Sequence, residues 1–221
     1  MLSTNSIWNR TETTANLVTP LVYNAVIGMV LCWGFAVNYV MLNVIPYEAV
    51  ASINQWVFLI GYIGCVILGV SIYSKSDNPV VSFAGYNLLV FPIGLLLVKF
   101  LHFYPAEVIA QAFVTTGMVT LAIMGLAMLY PRAFLSIGRG LFWGLIIAFV
   151  MELGVYFFTG TIPPVFDWIF VLIFSGYIGY DWARAQALPH TVDNAVDAAA
   201  SLYVDIVNLF IRLVRIFGRR R

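Results

Sequence analysis

Asp181 and Asp205 are the two side chains of this sequence whose type and setting demand a chemical explanation. Each is embedded in apolar sequence: Asp181 closes Ser175-Gly176-Tyr177-Ile178-Gly179-Tyr180-Asp181, and Asp205 lies inside Ser201-Leu202-Tyr203-Val204-Asp205-Ile206-Val207-Asn208-Leu209-Phe210. An ionised aspartate at mid-membrane costs about 3 kcal/mol on insertion scales, so it should face a bundle interior and have a partner. Pro189 and Asp193 fall between the two and suit a turn that sets their segments side by side. Two carboxyls in hydrogen-bond reach cannot both ionise cheaply, so the pair shares a proton. A conformation that holds them together binds that proton more tightly; it is favoured at low pH and weakened as pH rises. Once parted, the two carboxylates offer the oxygen ligands that a hard cation such as Ca²⁺ prefers. The same residues could therefore gate and coordinate.

The elements that must position this pair are membrane helices. Hydrophobic residues make up 62% of the chain and charged residues 10%, with a mean hydropathy of +0.94. No water-soluble domain of this length has the polar surface to cover so much apolar area. A bilayer-crossing helix needs roughly 20 apolar residues, and candidates run over residues 21–43, 56–73, 80–101, 108–130, 134–158, 165–181 and 195–217. The predicted class is an all-α integral membrane protein. A polar tail covers residues 1–20, one membrane domain covers 21–218, and a basic end covers 219–221. The tail, with Asn5, Asn9, Arg10 and Glu12, lacks the pattern of a cleaved signal peptide. Gly61, Gly64 and Gly69 are expected to let the second span approach a neighbour closely, and Pro92 to kink the third. Cys32 and Cys65 lie in apolar spans and behave as small hydrophobes.

Cytoplasmic loops carry excess Lys and Arg. Arg10, Lys75, Arg132, Arg139 and Arg184 share the side of the N-terminus, whereas the opposite side has Lys99 alone before the last segment, so the N-terminus is predicted cytoplasmic. The last segment breaks the pattern: if it crosses, Arg212, Arg215, Arg219, Arg220 and Arg221 end outside. Composition leaves open seven spans or six with a re-entrant helix. At 100° per residue, Asp197, Ser201, Asn208, Arg212, Arg215 and Arg219 lie within about 80° on one side of Asp205, a single polar stripe along the helix. The stripe is too narrow for a helix half immersed in water.

Other polar residues have two readings each. Glu152, deep in the fifth span, is either an acid lining an ion path or a protonated side chain bonded to a neighbouring helix. Asp193 and Asp197, one turn apart, face cytoplasmic water at a helix start, or serve cation entry. Tyr177, Tyr180 and Tyr203 bracket the aspartates and either donate to them or only pack. Gln111 is polar in an otherwise apolar fourth span. His190 reads as a loop histidine, His102 has no second ligand at metal spacing, and the terminal arginines suit anionic lipid headgroups. Catalysis is not expected: no Gly-x-Ser-x-Gly stretch occurs, neither histidine is mid-span, and the Gly-Leu-Gly-Asp stretch that a second aspartyl-protease half-site would need is absent. The bases are spread singly over the loops until the C-terminus, so no nucleic-acid partner is expected, and no cofactor is implied.

Residues 174–218 resemble the C-terminal signature of the transmembrane Bax-inhibitor-motif family, particularly its bacterial members. The match rests on Gly-Tyr-Ile-Gly-Tyr-Asp ending at Asp181, a polar linker, and Ser-Leu-Tyr-Val-Asp-Ile-Val-Asn-Leu-Phe followed by Leu213, Arg215 and Gly218. A weaker match is Gln-Ala-Phe-Val-Thr-Thr-Gly from Gln111 to Gly117. The resemblance implies a seven-transmembrane-helix bundle with the last helix central, and a pH-sensitive calcium leak with Asp181 and Asp205 as its proton sensor. A cell membrane, the prokaryotic inner membrane, is the location it implies. The second span lacks the acid and the arginine that leak-active relatives tend to carry, and Gln111 stands where some have glutamate. An alternative in the same family is a non-conducting interaction protein that regulates a membrane protease or another membrane complex.

Overall fold

The computed structural model describes residues 17–219. The tail residues Asn5, Asn9, Arg10 and Glu12, and the terminal Arg220 and Arg221, lie outside the described residues. Eight helices follow in order: α1 Pro20–Val44, α2 Tyr47–Ala51, α3 Gln55–Tyr73, α4 Pro79–Leu101, α5 Ala106–Leu129, α6 Pro131–Thr159, α7 Pro164–Ala187 and α8 Val192–Gly218. Apart from α2, they coincide with the seven apolar stretches. α2 fills a segment expected to be a turn; its five residues are too few to carry a periodic signal.

Helix boundaries follow local chemistry. The Thr19 hydroxyl accepts from Val22 N–H ahead of Pro20, and Asn54 and Asn78 side chains cap α3 and α4. Each supplies an acceptor to amides that have no partner inside the helix. Pro131 and Pro164 open α6 and α7, where the missing N–H costs nothing. Gly160, at φ 69°, closes α6 in the left-handed region that glycine enters without strain. Thr191 Oγ1 accepts from Asn194 N–H at 3.1 Å at the start of α8. The helix α4 continues through Pro92.

Five helices, α1, α3, α4, α5 and α6, are long and apolar enough to cross a membrane. Their outer faces are apolar and exposed; α6 buries only Ala148 and Glu152. α7 and α8 are long enough too, with 24 and 27 residues, but they carry the charges: Asp167, Asp181 and Arg184 on α7, and Asp193, Asp197, Asp205, Arg212 and Arg215 on α8. Along α8 no residue from 192 to 218 is exposed. A helix with ionisable groups and no exposed residue needs partners for those groups from the helices around it.

The chain divides into two compact units, and α8 contributes to both. One comprises the residues up to Phe103 with Ala187–Tyr203; the other comprises Tyr104–Gln186 and Val204 onward. In the first, α3 and α4 meet closely where a Cβ on Gly69 would stand 2.7 Å from Gly85 O, and one on Gly85 2.9 Å from Gly69 O. Gly61 and Gly64 face open space, so of the three glycines expected to mediate close approach only Gly69 does. Tyr86 packs across Gly34 and donates to Val30 O at 3.0 Å. In the second unit the α6–α7 contact is built on glycines. A Cβ on Gly176 would meet Leu141 at 2.7 Å, one on Gly179 would overlap the Phe134 ring, and one on Gly138 would overlap the Tyr180 ring. The glycine spacing of the Gly176-Tyr-Ile-Gly179 stretch thus lets α6 lie against the helix face that precedes Asp181.

Candidate functional site

The second unit brings together the two aspartates. Asp181, in the last turns of α7, and Asp205, in the middle of α8, are hydrogen-bonded to each other through their carboxyl groups. Asp205 is 8% exposed, and its Oδ2 is buried with no hydrogen-bond partner. A buried anionic oxygen without a donor is costly. A carboxyl–carboxyl hydrogen bond also requires a proton on one side. The arrangement is therefore chemically consistent with one proton on the pair.

Two residues surround it from α7 itself. Tyr177, one turn before Asp181, lies within electrostatic reach of both carboxyls. Arg184, one turn after, acts on Asp181 through its charge. Its Nη1 donates to the Tyr180 hydroxyl at 3.0 Å, and its guanidinium faces the Tyr180 ring at 5.4 Å. Sequence reasoning used Arg184 only to orient the chain. Its i+3 spacing from Asp181 was the signal for a local counter-charge.

The remaining residues singled out from sequence lie elsewhere. The Tyr180 hydroxyl serves Arg184. Tyr203 belongs to the first unit, where its hydroxyl accepts from Asn38 Nδ2 and its ring lies against Tyr86 and Phe35. Asn208 donates to Val204 O on its own helix at 2.8 Å. Gln111 is exposed on α5. Asp193 and Asp197 do not face water: they are 4% and 0% exposed. Asp193 Oδ1 accepts from Ser82 Oγ at 2.7 Å, and Asp197 lies near Tyr23. The loop before α8 is folded onto the start of α1, with Val18 N–H bonded to His190 O and the His190 ring stacked on Tyr23 at 4.4 Å. That contact buries the first turn of α8, which helix-start reasoning expects to be solvated.

A second constellation was missed. Glu152 on α6 and Asp167 on α7 face Arg212 and Arg215 of the last helix and Arg219 just beyond its end. Arg212 Nη1 and Nη2 donate to Glu152 Oε1 and Oε2 at 2.5 and 3.0 Å, a two-point fork, and Nη1 also reaches Asp167 Oδ1 at 3.1 Å. Arg215 lies 3.5 Å from Glu152 and 3.3 Å from Asp167. Arg219 lies 3.0 Å from Asp167 Oδ2 and donates to Ile162 O at 3.1 Å. The Arg212 guanidinium also sits 3.8 Å above the Phe170 ring. Glu152 is thus an ionic partner of the last helix. The three arginines, expected to meet lipid headgroups, are engaged by carboxylates. Asp167 escaped notice because it opens an apolar span, where a carboxylate reads as a boundary residue. Three arginines on one face of one helix were the signal that carboxylates should lie opposite.

Among the described residues no three His, Cys, Asp or Glu side chains converge to hold a metal ion. The family of inhibitors of apoptosis-promoting Bax1 matches residues 15–221. The chain is 33% identical to protein lifeguard 4 of Mus musculus over 59% of its own length and 56% of that protein's. It is 33% identical to a Golgi anti-apoptotic protein of vaccinia virus (strain Lister) over 56% and 52%. It is 35% identical to a membrane protein of Vibrio cholerae over 57% and 58%. The matched stretches thus span little more than half the length of these relatives. The membrane character of the Vibrio cholerae relative and the five apolar helices make this a multi-pass membrane protein. With its match over nearly the whole chain, the protein belongs to the family of inhibitors of apoptosis-promoting Bax1.

Proposed function

We propose that the protein is a pH-sensitive calcium leak whose gate is the Asp181–Asp205 pair. The observation that carries the proposal is the carboxyl–carboxyl hydrogen bond between α7 and α8. The paired state is the closed one. It holds a proton that the parted state releases, so low pH favours closure and rising pH favours opening. Parted, the carboxylates attract a passing cation. Two carboxyls are far fewer than the six to eight oxygens of a tight Ca²⁺ site, which suits transit better than storage. Calcium is the substrate here, and no residue has a catalytic role. Arg184 supplies the positive charge that the second span lacks. The test is calcium flux through the purified protein in liposomes at two pH values.

This reading takes seven crossings, with α8 inside the bundle and the N-terminus in the cytoplasm of a prokaryotic cell. Its support is that α8 has no exposed residue and that its Arg212 and Arg215, with Arg219 just beyond its end, face Glu152 and Asp167. Bases paired inside the protein weigh less against crossing than free ones, which weakens the conflict with the positive-inside rule.

A second reading is an interaction protein that regulates a membrane protease or another membrane complex. It is favoured by the name of a relative, a Golgi anti-apoptotic protein, which describes a regulatory outcome. It requires a partner that stays bound on purification, and no flux from the isolated chain.

A further inference from the structure

We infer that the arginine cluster at the end of α8 is a binding site for an anionic phospholipid, its phosphate on Arg219 and an acyl chain in the groove beside Glu152. The first observation is a charge imbalance. Arg212, Arg215 and Arg219 face Glu152 and Asp167, three guanidiniums against two carboxylates. The side chains of Arg212 and Arg215 are only 14% and 19% exposed, and Asp167 is fully buried. Among the described residues the cluster thus holds one guanidinium more than carboxylates, and a cluster so largely buried favours a further anion. Arg219, with 35% side-chain exposure, is the accessible member. It lies 3.0 Å from Asp167 Oδ2 and donates one hydrogen bond, to Ile162 O, of the five its guanidinium can make.

The second observation is the shape beside it. An open groove of about 130 Å³ is lined by Phe149, Glu152, Leu153, Tyr156 and Ile162. Ile162, whose carbonyl holds Arg219, is one of its walls, so the groove begins where the excess charge ends. Its other walls lie on an apolar face of α6, with Phe149, Leu153 and Tyr156 exposed. A small soluble anion would compensate the charge and leave the groove empty; a neutral lipid would do the reverse. A phospholipid with a net negative headgroup answers both, because guanidinium matches phosphate geometry and the apolar walls accept a hydrocarbon chain.

The inference does not depend on whether the protein conducts. Native mass spectrometry of the full chain in a neutral detergent tests it, with phosphatidylglycerol, phosphatidylcholine of the same chains, and glycerol phosphate as probes. Phosphatidylglycerol should be retained about tenfold over phosphatidylcholine, the value of one charge-assisted contact. Arg219→Gln should abolish that ratio, Arg219→Lys should keep most of it, and Leu153→Asn should lower retention of both phospholipids. Taking the ratio within each variant removes any general loss of stability. Equal retention of the two phospholipids by the wild type, or an unchanged ratio in Arg219→Gln, overturns the site. Glycerol phosphate binding as well as phosphatidylglycerol overturns the lipid and leaves a soluble anion. If Arg219→Gln does not fold, the three wild-type arms decide alone.

Discussion

Asp181 and Asp205 are joined carboxyl to carboxyl, one near the end of α7 and the other at the middle of α8. The bond links the last two helices at a buried point.

Arg184 is the first test of how this bond is tuned. Its positive charge acts on Asp181 from one turn away on the same helix. Arg184→Gln removes that charge, so the pair keeps its proton to higher pH and stays closed further into the alkaline range. The expected result is an alkaline displacement of the pH–flux curve with little change in its limits. An acid displacement would show that Arg184 acts on some other group.

Gly179 tests the packing that positions Asp181. A Cβ there overlaps the Phe134 ring, so Gly179→Ala should cost about 1–3 kcal/mol, as overpacking does elsewhere. Phe134→Leu, which shortens the opposing side chain, should recover part of the loss. Thermal unfolding in detergent, read for both single variants and the double, measures this. Strictly additive costs would mean that the two residues do not touch.

The Glu152–Arg212 fork, at 2.5 and 3.0 Å, is the strongest ionic contact of the last helix. Breaking a buried pair by removing one partner typically costs about 3–5 kcal/mol. Here Asp167 still faces Arg212, so Glu152→Gln should cost about 3 kcal/mol, the lower end of that range. Arg212→Gln in the Glu152→Gln background should cost much less than in the wild type. A cycle over the four proteins gives the coupling directly.

The seven crossings proposed above would place the two chain ends on opposite sides of the membrane. A reporter fused after Arg221 should be reached from outside the cell, and one ahead of Met1 should not. Both reporters inside would convert α8 into a re-entrant helix and remove that part of the account.

Much of this was legible in the sequence, for identifiable reasons. Apolar runs marked seven long helices, because lipid-facing helices need continuous hydrocarbon surface, and the boundaries fell within a few residues of caps such as Thr19, Asn54 and Asn78. Asp181 and Asp205 stood out because an acid between apolar runs has few cheap settings. What stayed hidden depended on which helix meets which. Asp167 and Glu152 are ordinary until three arginines are seen opposite them. Asp193 and Asp197 read as solvated until the loop before α8 folds onto α1. The open space around Gly61 and Gly64, against the tight contact at Gly69, is likewise a property of the neighbour.

The central claim is that the aspartate pair gates calcium. Its most direct measurement is calcium flux into liposomes containing the purified protein at about pH 6 and about pH 8, on either side of neutral, with Asp205→Asn beside the wild type. The account predicts more flux at the higher pH in the wild type. In Asp205→Asn, where the amide bonds Asp181 without a shared proton, it predicts loss of that pH dependence. Flux with the same pH dependence in both proteins, or no flux from folded wild type at either pH, would contradict it.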